Sequence, residues 1–176
     1  MGNRGGRFHL DGQLIGTRQW ASKAWISCLL DFNDRPPRRV MAEGYTVLFF
    51  LDEATALAGG HRPCFQCRYR DAMRFARLFA NGGPRARAAN MDKRLHAERL
   101  GAPDVARAQG LPDGTIFQRD EAMFLAHQGK AHQWSFEGYE AGQPLPDEPV
   151  SVLTPASVRA VLSAGYAPLY HPSLWA

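Results

Sequence analysis

Cysteine is scarce, at three residues in 176, and two of the three lie close together as Cys64 and Cys67. That excludes a disulfide framework, so the fold must rest on a packed core. Neither a secretory leader nor an apolar run of membrane length appears, so the expected setting is soluble, reducing and cytoplasmic, with no membrane partner. There is no Walker-type loop, no Gly-x-Ser-x-Gly elbow, no internal repeat and no heptad run. P-loop enzymes, α/β-hydrolases, solenoids and coiled coils therefore drop out.

What is present suits a globular chain. The hydrophobic fraction is 45%, with 10 Phe, 5 Tyr and 4 Trp, enough to bury a core at this length. The net charge of +4 is unevenly spread. From His61 to Arg107 there are eleven Arg or Lys against four Asp or Glu, so the rest of the chain is net acidic. Basic charge gathered in one stretch is what a polyanion-binding surface needs, and also what a solvated helix face carries.

The basic stretch opens with Gly60-His61-Arg62-Pro63-Cys64-Phe65-Gln66-Cys67-Arg68. Two cysteines three apart bring their sulfurs to one point, because the intervening turn reverses the chain. Such a pair suits a soft or borderline metal, usually zinc, but also a redox dithiol or two ordinary reduced thiols. Pro63 is expected in the first turn of a helix, with Tyr69, Ala72, Met73, Ala76 and Phe79 at helical spacing behind it. The helix is expected to stop at Asn81-Gly82-Gly83-Pro84. Arg70, Arg74 and Arg77 form a polar stripe on it, which, with Arg62 and Arg68, is expected to grip phosphates; Asp71 leaves a plain surface ion-pair lattice as the other reading.

Upstream, Tyr45 to Leu51 is a short apolar run of β-formers, and Asp52 can cap a helix from Glu53 to Ala58 that halts at Gly59-Gly60. A strand, a short Ala-rich helix and Arg62-Pro63-Cys64-x-x-Cys67 follow one another. This order resembles the second half of the Ada-type metal-binding DNA-repair domain over Tyr45 to Cys67. The resemblance implies a zinc knuckle that gives two of four thiolates, in a protein that binds DNA and accepts a methyl group from a phosphotriester. In that family the other pair has the form Cys-x-x-x-Cys, whereas here Cys28 is the one upstream cysteine. Zinc would need a histidine, carboxylate or water to complete four-coordination. The third and fourth ligands are left open among Cys28, His61 and His96, with Cys28 also readable as a buried core residue.

Leu95-His96-Ala97-Glu98 is similar to half of the zinc-deaminase signature, His-x-Glu before Pro-Cys-x-x-Cys, but here the cysteines come first. In that alternative, Glu98 shuttles a proton for zinc-dependent hydrolysis or deamination of a nucleotide-like substrate. The bland alternative is an exposed helical histidine. Asn90 is expected to cap this helix, Met91 to Leu100.

The remaining chain completes an α+β expectation: a small antiparallel sheet, a zinc knuckle leading into helices, then a β-meander and a C-terminal helix. Met1 to Gly6 reads as loose, Asp11-Gly12 as a hairpin turn, and Ala24 to Phe32 as a central strand. Asn33 to Arg39 reads as a loop and Val40-Met41 as strand. Thr115 to Gln118 and Ala122 to Ala126 form a hairpin about Asp120-Glu121, with Lys130 to Phe136 as third strand. Val150 to Leu153 is a further strand, and Thr154-Pro155 opens a helix ending at Gly165. His127 and His132 fall on strand faces, and the aromatic tail from Tyr166 is expected to pack down. The expected division is 1–107 and 108–176, packed as one unit.

Overall fold

The computed structural model describes residues 1–33 and 46–176. Its strands are short in the first part of the chain: β1 (Gly2–Asn3), β2 (His9–Leu10), β3 (Gln13–Leu14), β4 (Ile26–Ser27) and β5 (Val47–Leu48). Helix α1 (Glu53–Ala58) leads to β6 (Arg62–Pro63), then α2 (Tyr69–Phe79) and α3 (Ala88–Leu100). The second part is sheet-rich: β7 (Asp104–Arg107), β8 (Thr115–Arg119), β9 (Ala122–His127), β10 (Lys130–Gln133), β11 (Gln143–Pro144) and β12 (Pro149–Val152). Helix α4 (Ala156–Ser163) and a 3₁₀ turn at Pro172–Trp175 close the chain. This is the α+β class expected, and no helix among the described residues is long and apolar enough to cross a membrane.

The first sheet has the order β5-β1-β4-β6, with β1 antiparallel to both neighbours and β4 parallel to β6. Residues expected to be loose thus form an inner strand. Asn3 holds the exit by accepting the Gly5 and Gly6 amides at 2.7 and 3.1 Å. The strand expected over Ala24–Phe32 reduces to Ile26–Ser27. The Val40-Met41 strand, most of the Asn33–Arg39 loop and Tyr45 lie outside the described residues. The Asp11-Gly12 hairpin forms as expected, both residues at positive φ (48° and 77°), as the tight primed turn requires.

Helix α1 is set by its own sequence. Asp52 accepts the Thr55 amide at 2.9 Å, and Gly60 at φ 70° turns the chain out of the helix toward β6. Pro63 sits in β6 rather than in a helix. The strand lies at the sheet edge, where a missing N–H costs no ladder bond. Helix α3 starts at Ala88, two residues before Asn90, with Arg87 at the cap position. Thr154 does not cap α4. Its hydroxyl accepts the Ile116 amide at 2.8 Å and so fastens the end of β12 to β8.

The second sheet runs β11-β10-β9-β8-β12-β7, entirely antiparallel, with the Asp120 turn joining β8 and β9. Two apolar clusters matter for the site. Leu57, Phe75, Met91, Leu95, Val158 and Val161 lock α1, α2, α3 and α4 together. Ala54 of α1 packs with Ile116, Leu125, Tyr139 and Leu174, so α1 touches both parts of the chain.

Candidate metal centre

The register of β4 on β6 builds the site. Ser27 and Pro63 are direct partners in a parallel pair, so the next residue on each strand, Cys28 and Cys64, leaves the sheet on the same side. The Cys64 amide donates to the Ser27 carbonyl at 3.0 Å and fixes that exit. A turn then closes on the Arg68 amide, which donates to the Cys64 carbonyl at 3.0 Å and carries Cys67 back. The sulfurs of Cys28, Cys64 and Cys67 all lie within 4.8 Å of one another.

The donor set fits a metal. Tetrahedral zinc–sulfur bonds of about 2.3 Å put sulfurs about 3.8 Å apart, within reach of this cluster by small side-chain adjustments. Three thiolates are soft donors, which favours zinc over the hard oxygen-seeking cations. Amides point at the sulfurs: Gln66 N–H donates to Cys64 Sγ and Leu29 N–H to Cys67 Sγ, both at 3.4 Å. Within the cluster the hydrogen bond from the Cys28 thiol, helped by the Cys67 and Gln66 amides, pulls Cys64 down to about 5. The same bond, with burial, pushes Cys28 upward, and burial raises Cys67. The sulfurs thus share protons that a metal ion would displace. Beside Cys28 a cleft of about 360 Å³ opens, walled by Leu29, Glu53, Arg68 and Tyr170.

The other expected ligands lie elsewhere. His61 is fully buried, its ring centroid 5.1 Å from that of Trp25 and 4.7 Å from that of Phe50. Its Nδ1–H donates to the Gly59 carbonyl at 3.1 Å, and burial holds the imidazole neutral, down to about 3. His96 stands edge-on to Trp20 at 5.2 Å. Among the described residues, neither joins the sulfur cluster. Glu98 pairs with Arg94 at 3.0 Å and accepts the Ser157 amide and hydroxyl. No family model, curated protein or solved structure matches this chain.

The five expected phosphate ligands divide in two. Arg62 is buried in a fork with Asp92, Nε to Oδ1 at 2.7 Å and Nη2 to Oδ2 at 2.9 Å. Arg68, equally buried, spans Glu53 at 2.7 Å and Asp71 at 2.8 Å, and these bonds raise its pKa against the effect of burial. Glu53 in turn accepts the Tyr166 hydroxyl at 2.7 Å and the Leu169 amide at 3.0 Å. Both arginines brace the knuckle from behind. Arg70, Arg74 and Arg77 are exposed along α2, with Arg74 also donating to the Gly165 carbonyl. The carboxylate partners, Asp92 and Glu53, carry no local signal in the sequence, since each meets its arginine across 15 or more residues.

Proposed function

We propose that the chain is a zinc protein whose three-thiolate centre anchors a surface for DNA or another nucleic acid. The observation that carries the reading is the convergence of Cys28, Cys64 and Cys67 within 4.8 Å, directly before the basic helix α2. Cys28 beside the knuckle also supports the resemblance to Ada-type repair domains, in which upstream sulfur meets a downstream Cys-x-x-Cys. Four residues beyond Cys28 this chain has Phe32, so the fourth position falls to a ligand other than cysteine.

Zinc here acts first as a clamp. It ties the ends of β4 and β6 and fixes the start of α2, whose outer face presents Arg70, Arg74 and Arg77. These cations contact phosphates without reading bases, so binding is salt-sensitive and weakly selective. The test is titration of fluorescent single- and double-stranded DNA and RNA at several salt concentrations. Replacing the three arginines with Ala weakens binding and flattens the salt dependence by roughly one unit of slope per lost contact. Binding unchanged by the triple replacement removes nucleic acid from this face.

A further inference from the structure

A second site lies at the other end of the first sheet, and its chemistry is independent of the sulfurs. Arg4, on the strand exit after β1, and Arg99, in the last turn of α3, both place their guanidinium over one indole. Their Cζ atoms stand 4.2 and 4.0 Å from the centre of the Trp25 ring. Both line a cleft of about 520 Å³, within the size range of small-molecule sites, together with Trp20 and Trp25.

Two like charges drawn to one ring need a counter-charge. Among the described residues neither arginine has a carboxylate partner, and Arg4 Nε and Arg99 Nη1 are buried without any hydrogen-bond acceptor. The two carboxylates on the cleft wall are already engaged: Glu98 with Arg94 and Ser157, Asp104 with Arg159. Burial holds Arg99 down to about 10, opposed by Asp92, whose carboxylate is bonded to Arg62, and aided by Arg4, so Arg99 is still charged at neutral pH. Arg99 donates Nε to the Leu95 carbonyl at 3.0 Å and Nη2 to the Lys23 carbonyl at 3.2 Å, which fixes its guanidinium at the cleft wall. Two guanidiniums lining one half-enclosed cleft suit the charge of a phosphate group. Trp20, half-buried at 6.1 Å from Trp25, adds a flat apolar wall of the kind on which a base stacks.

We propose that this cleft binds a nucleotide, its phosphate monoester between Arg4 and Arg99 and its base along Trp20. The phosphate has two sources, a free mononucleotide or the 5′ end of a strand, and the assay separates them. Calorimetry and thermal shift are run on the full chain with inorganic phosphate, AMP, adenosine, and a short oligonucleotide with a 5′-phosphate or a 5′-hydroxyl. AMP or the 5′-phosphorylated strand binds and raises the melting temperature; adenosine and the 5′-hydroxyl strand bind at least tenfold more weakly. Binding of AMP points to the free nucleotide, and binding of the phosphorylated strand alone points to the strand end. Arg4→Gln and Arg99→Gln each weaken the phosphate-bearing probe tenfold or more, while the Arg70, Arg74, Arg77 triple replacement leaves AMP binding unchanged. This last arm keeps failure of the cleft distinct from failure of the α2 surface. No binding of any phosphate probe, equal binding of AMP and adenosine, or full affinity in either glutamine variant overturns the assignment. Should a variant fail to fold, the AMP-against-adenosine comparison on the parent chain still decides.

Discussion

Replacing Arg68 with Ala separates a brace from a phosphate ligand. Its side chain is 5% exposed and faces Glu53, itself 3% exposed, at 2.7 Å. Removal leaves the Glu53 carboxylate buried, with the Tyr166 hydroxyl and the Leu169 amide but no cation. Breaking one side of a buried pair costs about 3–5 kcal/mol, which is a large share of the roughly 5–15 kcal/mol that holds a domain together. At about 2–4 °C per kcal/mol for a chain of this length, the melting temperature falls by roughly 6–20 °C. Arg70→Ala, on the exposed face of the same helix, changes stability by no more than about 0.5 kcal/mol. The paired replacement Arg68→Met with Glu53→Gln recovers part of the loss, because no charge is stranded: the amide oxygen keeps the Leu169 N–H, and the amide NH2 donates to the Tyr166 hydroxyl, which reverses that bond. Thermal and urea melts followed by circular dichroism measure all four proteins. If Arg68→Ala melts within about 2 °C of Arg70→Ala, the buried pair does not brace the knuckle and the reasoning fails.

His61 and Cys28 give two further tests. The folded-state pKa of His61, about 3, lies below the ordinary value of 6.5, so the unfolded chain binds the extra proton. Stability from this group is complete above pH 6.5 and is lost as pH falls from there toward 3, at up to about 1.4 kcal/mol per pH unit. In His61→Phe that loss is absent, and a stability profile between pH 7 and 5 as steep as the parent's contradicts it. Cys28→Ser removes one of three sulfurs, and a third of a structural site's about 10–16 kcal/mol amounts to zinc binding weaker by roughly 250-fold to several thousandfold. Competition with a chromogenic chelator reads this directly, and unchanged affinity would remove Cys28 from the site.

Local rules made part of this fold readable. The Asp52 cap, the Gly60 turn, the Asp11-Gly12 and Asp120 hairpins and the end of α2 all depend on residues within a few positions of one another. Pairing across distance was not readable in that way. Gly2–Asn3 becomes a strand only because β4 and β5 flank it, and Pro63 is extended because β4 runs beside it. Arg62 and Arg68 look like phosphate ligands in a basic run until Asp92 and Glu53 reach them from other elements. The same limit governs the site. Cys64 and Cys67 announce themselves by spacing, but Cys28 reaches them through a parallel strand register spanning 36 positions. The Arg4–Trp25–Arg99 cluster joins three separate segments and leaves no motif in any of them.

The central claim is a metal held by three sulfurs. Elemental analysis of protein purified without chelator, joined to X-ray absorption at the zinc edge, tests it most directly. About one zinc per chain is expected, with three sulfur neighbours at about 2.3 Å and one lighter atom. Protein that holds no stoichiometric metal and melts identically before and after chelation, or a zinc with nitrogen neighbours in place of the third sulfur, contradicts it.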